Sequence, residues 1–350
     1  MLFLPALVIT LSSISGASGI AFSVKSLVDS MDASATNRFV QDRNNENLLK
    51  FQATSNKLNE TLEELGKQRM MITNNFSAFV NTFERIHNRP EFSSKESPAL
   101  PTFDFNEIKN VSVVAADFLG AISGAIGGSA LAAAATSGTT AAVMALGTAS
   151  TGTKIAELSG AAATKAALAA LGGGSLATGG GGIALGMLVL NVASLGVGVL
   201  VEGVAMAYAG SVAKKHADKA KDAMFNNERI INDAIAMQNE IMRAAIDMRK
   251  ATTKLNNEIY KPLVFRMRAL VDRKNDWNSF TASEKILVEN NILIVQLLNY
   301  LNNIPLYEVK KYNITDDQCD IEEVVSNADE VKLALNKAKQ ELNEWRNRNG

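Results

Sequence analysis

Two uninterrupted runs of uncharged residues constrain this chain more than any other feature. Between Asp117 and Lys154 lie 36 such positions, and between Lys165 and Glu202 another 36. A helix needs about 20 apolar residues to cross the hydrocarbon core of a bilayer, so each run is long enough for one crossing. Composition separates the two. Residues 183–201 hold eleven Leu, Ile or Val side chains, each favouring insertion by about 0.3 to 0.6 kcal/mol. Residues 113–135 hold only seven Val, Ile, Leu or Phe and include Asp117. That first segment inserts marginally alone and needs a partner.

The glycine spacing supplies a reason for one. Gly120, Gly124 and Gly128 recur every four residues and continue as Ala132, Thr136 and Thr140; Thr178, Gly182 and Gly186 begin a similar strip. In lipid, small residues let helix backbones approach closely, which is a main source of association there. The expected packing face comprises Gly120, Gly124, Gly128, Gly182 and Gly186 with the lipid-type side chains Leu188, Leu190 and Leu195. Gly172 to Gly182 read as the turn of a hairpin, since each glycine costs a helix about 1 kcal/mol relative to alanine. Asp117 and Glu202 sit at the borders of the charge-free runs, where an ionisable group marks an interface or faces a pore, a partner or water. Lys214 and Lys215 follow closely, and the positive-inside tendency keeps that end cytoplasmic or near anionic headgroups. A tight Ala/Gly coil inside a soluble bundle is the other reading of the same strip.

The flanks are helical by pattern. Phe51, Leu58, Leu62, Leu65, Ile72, Phe76, Phe79, Phe83 and Ile86 alternate by four and three, with Ser55 and Arg69 filling two seam positions. Ile231, Ala234, Gln238, Ile241, Ala245, Met248, Thr252, Leu255 and Ile259 repeat the pattern. Two compatible seams around an apolar insert predict an all-α protein, an elongated bundle or an antiparallel coiled-coil stalk carrying a central glycine-rich hairpin. Pro90, Pro98 and Pro101 mark a connector near 88–103, and Pro262 is expected to kink or end the second long helix. Thr281 and Glu284 have capping-box spacing ahead of ILVENNILIVQLLNYL, a buried bundle helix in preference to a membrane span; residues 320–346 read as a final amphipathic helix. The organisation is then 1–24 apolar segment, 25–112 heptad helix and connector, 113–211 apolar hairpin, 212–272 second heptad helix and 273–350 C-terminal helical region.

Residues 1–24 carry no charged side chain. They read as a retained apolar or membrane-contacting helix in preference to a secretory signal, because no basic n-region precedes them. With 35 Lys and Arg against 36 Asp and Glu there is no general footprint for nucleic acid. Cys319 is the lone cysteine, which excludes an internal disulfide and fits a reducing compartment. Gly147 to Lys154 misses a phosphate-binding loop by one position and lacks the preceding strand, and Gly172-x-Gly174-x-x-Ala177 follows a helical run instead of a strand. His87 and His216 have no paired ligand spacing. No enzyme chemistry, metal, cofactor or small-molecule substrate is expected.

Residues 139–186, LNETLEELGK at 58–67 and KNDWNSFTASEK at 274–285 resemble a group of bacterial proteins with an Ala/Gly-rich core between helical flanks. That resemblance implies no particular activity. The order long helix, apolar hairpin, long helix is similar in architecture to α-helical pore-forming toxins of the cytolysin A and haemolysin BL type, which implies a soluble bundle that extends an apolar element into a membrane and oligomerises. The expected function is a non-enzymatic membrane-inserting protein, a pore-forming or membrane-perturbing homo-oligomer whose partner is the lipid bilayer. It would reside at the bacterial inner membrane, or in the cytoplasm before insertion. The alternatives are a permanently anchored coiled-coil scaffold or signalling adaptor, and a soluble helical interaction protein.

Overall fold

The computed structural model describes residues 9–10, 34–92, 100–124, 168, 212–314 and 319–349. Helix dominates them, and the fold is all-α. The helices are α1 (Ser34–Phe83), α2 (Phe105–Gly124), α3 (Val212–Leu255), α4 (Lys261–Val271), α5 (Ala282–Asn302) and α6 (Ala328–Asn349). Three strands, β1 (Ile9–Thr10), β2 (Tyr307–Ile314) and β3 (Cys319–Ser326), form an antiparallel sheet in the order β1-β3-β2.

The heptad positions explain the core. Phe51, Ser55, Leu58, Leu62, Leu65, Arg69, Ile72, Phe76, Phe79 and Phe83 on α1, and Ile86 just beyond it, are all buried. On α3 the buried set is Ile231, Ala234, Gln238, Ile241, Ala245, Met248, Thr252 and Leu255. Full burial of each large apolar side chain stabilises by about 1.5 to 3 kcal/mol, so this shared seam decides which faces of the long helices meet.

The direction of packing corrects the antiparallel expectation. Arg43 pairs with Glu228, Ser55 with Gln238, Gln68 with Thr252 and Asn75 with Tyr260, at separations of 185, 183, 184 and 185 positions. In an antiparallel pair the separation would fall by two for every residue climbed; here it stays constant. Helices α1 and α3 therefore run parallel. The cause is a further reversal at the proline-containing connector. Helix α2 starts beside the last turn of α1, with Phe105 against Phe83 (ring centroids 5.2 Å) and Lys109 Nζ bonded to Glu84 Oε1 at 2.6 Å, and packs back along α1. The chain thus ascends, descends and ascends again.

Pro262 does not end the second rod. A π-helical turn, Asn256–Tyr260, joins α3 to α4, and the residues on either side keep right-handed helical backbone. The N–H of Lys261 bonds Asn256 O across that turn, so the donor that Pro262 lacks falls where the regular ladder has already been interrupted. The wider turn also rotates the seam by one residue. Asn256 and Tyr260 are buried, whereas Ile259, the next position in the strict repeat, is only partly covered.

Helix α5 begins with the expected capping box: Thr281 N–H donates to Glu284 Oε2 (2.8 Å), and Glu284 N–H donates to Thr281 Oγ1 (3.4 Å). Val288, Ile292 to Val295, Leu297, Leu298 and Leu301 are buried, as a bundle helix requires. Two other expectations need correction. Ile9–Thr10 is a strand paired with Ile321 and Glu322, not part of a helix, and residues 319–326 form β3, so the last helix starts at Ala328. The β2–β3 register sets Lys310 opposite Glu323 and Lys311 opposite Glu322. Such complementarity is a cross-strand property that no periodicity within one segment reveals.

Candidate functional site

The helices that border the charge-free runs address the same end of the bundle. Helix α2 points back toward the end where α1 begins, and α3 starts at that end, because its offset from α1 places Glu228 beside Arg43. Gly120 is exposed, and a Cβ built there meets nothing within 4 Å. Val113 and Asp117 are exposed on the same face, while Ser112, Ala115 and Phe118 are buried on the other. The close approach expected at Gly120 is therefore not made within the described residues. Gly124 closes α2, and Lys214 and Lys215 lie in the first turn of α3. Gly128, Gly182, Gly186, Leu188, Leu190, Leu195 and Glu202 lie outside the described residues.

Polar side chains recur within the α1–α3 seam. Gln238 Nε2 donates to Ser55 Oγ at 2.8 Å, and Gln68 Nε2 donates to Thr252 Oγ1 at 2.9 Å and to Thr253 Oγ1 at 2.7 Å. Asn47 and Asn227 are buried near the start of the two rods. Arg69 is fully buried and donates from Nη2 to Ile304 O at 2.7 Å; burial lowers its pKa to about 10. Asn302 Nδ2 contacts Thr73 Oγ1 (3.3 Å) and Arg69 O (3.4 Å), which ties the end of α5 to the middle of α1. Tyr260 Oη donates to Asn75 O at 2.7 Å, and burial pushes its pKa well above the ordinary phenol value. Sequence periodicity found Arg69 and Ser55 as seam positions; their partners come from elements far along the chain.

The opposite end is closed by aromatics. Phe79 stacks on Phe83 (5.2 Å), Phe92 meets Trp277 edge-on (5.4 Å), and Arg89 lies 4.9 Å from the centre of the Phe83 ring. His87, dismissed above as a ligand, contributes its backbone: its N–H donates to Asn275 O (2.7 Å), and its carbonyl accepts from Trp277 N–H (3.0 Å). Asn88 adopts φ 53°, a left-handed conformation that asparagine tolerates, and bonds Asp276 Oδ1 at 3.2 Å. The Asn278 N–H and then Asn88 hold the Asp276 carboxyl below its ordinary value. A cleft of about 520 Å³ opens here between Phe83, Arg89, Phe92, Phe103 and Phe105. Arg89 is committed to the carbonyl of Ile86 (2.8 Å), so its guanidinium ties down the turn that follows α1. Among the described residues no group of three or more His, Cys, Asp or Glu side chains could hold a metal ion.

Comparison with known proteins finds no matching family model, no matching curated protein and no matching solved structure.

Proposed function

We propose that this chain is a non-enzymatic, membrane-inserting helical protein that assembles into a membrane-perturbing homo-oligomer through its glycine-rich middle. The observation that carries the reading is the opposed direction of α2 and α3. The two 36-residue charge-free runs are bordered by helices that leave and rejoin the bundle toward one end, away from the aromatic closure. In sequence, one run contains a strongly apolar 19-residue stretch and the other contains a strip of small residues, the combination that favours helix association in lipid. No described helix is long and apolar enough to cross a membrane. Helix α2 packs one face on the bundle and carries Glu107, Lys109 and Asp117, so the inserting element begins beyond Asp117, with the exposed face at Gly120.

Dye release from liposomes together with flotation tests this reading. Co-flotation that resists alkaline extraction, with leakage, is the expected result. Protein that stays in the lipid-free fraction overturns it. Flotation without leakage favours the permanently anchored scaffold.

A further inference from the structure

We propose a second membrane contact, independent of the glycine-rich middle: the exposed face of α4 is a docking surface for anionic lipid headgroups. Helix α4 is strictly two-sided. Leu263, Val264, Met267, Leu270 and Val271 are buried, whereas Lys261, Pro262, Phe265, Arg266, Arg268, Ala269, Asp272 and Arg273 are exposed on it or at its end. At about 100° per residue the exposed set spans an arc of about 160°. Phe265 stands near the middle of that arc. Lys261 and Arg268 line one border, and Arg266 and Arg273 line the other.

Two observations say what covers this face. Phe265 is 73% exposed, the largest fraction among the exposed large apolar side chains. The four surrounding cations make no ion pair among the described residues; the one acid within the arc, Asp272, is neutralised by Arg85 at 2.8 Å. On this face Lys261, Arg266, Arg268 and Arg273 stand against Asp272, a surplus of three, in a chain whose net charge is −1. A surplus of that size on one face calls for an anionic partner. A central phenyl ring selects a lipid surface over a nucleic acid, because the ring can enter the headgroup region while long basic stems reach outward to phosphate and carboxylate. Helix α4 follows α3 through continuous helical backbone, so docking by this face brings that end of the second rod to the bilayer surface.

The test uses the full chain and vesicles of phosphatidylcholine with and without phosphatidylserine. Tryptophan-to-dansyl-lipid energy transfer gives the association rate, and salt-reversible flotation gives the bound fraction. Association with the anionic vesicles is expected to be at least tenfold faster than with pure phosphatidylcholine and to weaken with added salt. Phe265→Ser with Arg266→Gln and Arg268→Gln is expected to abolish that advantage, and its helical circular dichroism and melting should match the wild type, since all three side chains are exposed. A charge-only variant, Arg266→Gln with Arg268→Gln, keeps the proposal falsifiable if the triple variant fails to fold. Wild-type association rates in these variants overturn the proposal. So does equal binding to both vesicle types, or tight binding to a double-stranded oligonucleotide with no binding to vesicles. Failure of the insertion reading is distinguishable, because it leaves salt-reversible binding intact while leakage and alkaline-resistant association are absent.

Discussion

Gln238 Nε2 donates to Ser55 Oγ at 2.8 Å inside the α1–α3 seam, joining residues 183 positions apart in the chain. The Ser55 hydroxyl in turn donates to Phe51 O at 2.9 Å, while Gln238 Oε1 has no partner among the described residues. A half-satisfied polar layer of this kind sets register more than it stabilises. Ser55→Ala strands the buried Gln238 amide and is expected to cost about 1 to 3 kcal/mol. Ser55→Ala with Gln238→Leu removes both polar partners and should recover most of that loss. Urea denaturation of the single and double variants measures both, and a double variant no better than Ser55→Ala would contradict the account.

Parallel alignment of α1 and α3 is open to a direct chemical check. In a Cys319→Ser background, Arg43→Cys with Glu228→Cys should be bridged by a bismaleimide cross-linker, because native side chains that meet at 2.6 Å keep the two backbones within its reach. Arg43→Cys with Thr253→Cys should not. The reverse pattern would restore the antiparallel stalk.

Arg69 fills its place in the seam with no exposed surface, and its guanidinium reaches Ile304 O. Arg69→Ala opens a cavity and removes the hydrogen bond, for an expected loss of about 2 to 5 kcal/mol. Arg69→Met refills much of the volume with an unbranched apolar chain and should lose less than half as much. Equal losses in the two variants would show that the charge, not the packing, dominates.

The start of α5 is acid-sensitive. Lys274 and then the Thr281 N–H hold the Glu284 carboxyl down at about 2 from an ordinary 4.5. A depressed carboxyl contributes stability that is present above its unfolded value and lost as pH falls through the folded one. The stability difference between wild type and Glu284→Gln should therefore be largest above pH 4.5 and shrink as pH falls toward 2. A difference that stays constant across that window would remove the carboxylate from the explanation. Thr281→Ala, which deletes the other half of the box, should cost about 0.5 to 2 kcal/mol near neutral pH.

Gly120 separates solution stability from membrane function. An added Cβ meets nothing within 4 Å, so Gly120→Ala should stabilise the lipid-free protein by about 0.5 to 1 kcal/mol through helix propensity. Gly120→Leu puts more bulk on the small-residue strip and should reduce leakage from vesicles, with urea denaturation of the lipid-free protein checking that the bundle is intact. Undiminished leakage in Gly120→Leu would exclude this face from helix packing in lipid.

Much of this architecture was legible in the residue order because it follows from local repetition. A side chain's face on a helix depends only on its position modulo the turn, so the α1 seam from Phe51 to Phe83, its counterpart from Ile231 to Leu255 and the Thr281–Glu284 cap could all be located one segment at a time. Direction could not. Whether two seams meet parallel or antiparallel depends on how many times the chain reverses between them, and the reversal that brings Phe105 against Phe83 depends on aromatic packing assembled from four separate stretches. The same holds for Pro262, ahead of which a π turn joins α3 to α4, and for β3, whose register sets acidic positions opposite basic ones on β2. The cationic arc around Phe265 likewise became visible only once packing had settled which face of α4 was left outside. Sequence periodicity determined which side chains are buried in the long seams; tertiary structure decided which way the elements run and which of their remaining faces meet solvent, since both are set by contacts between residues far apart in the chain.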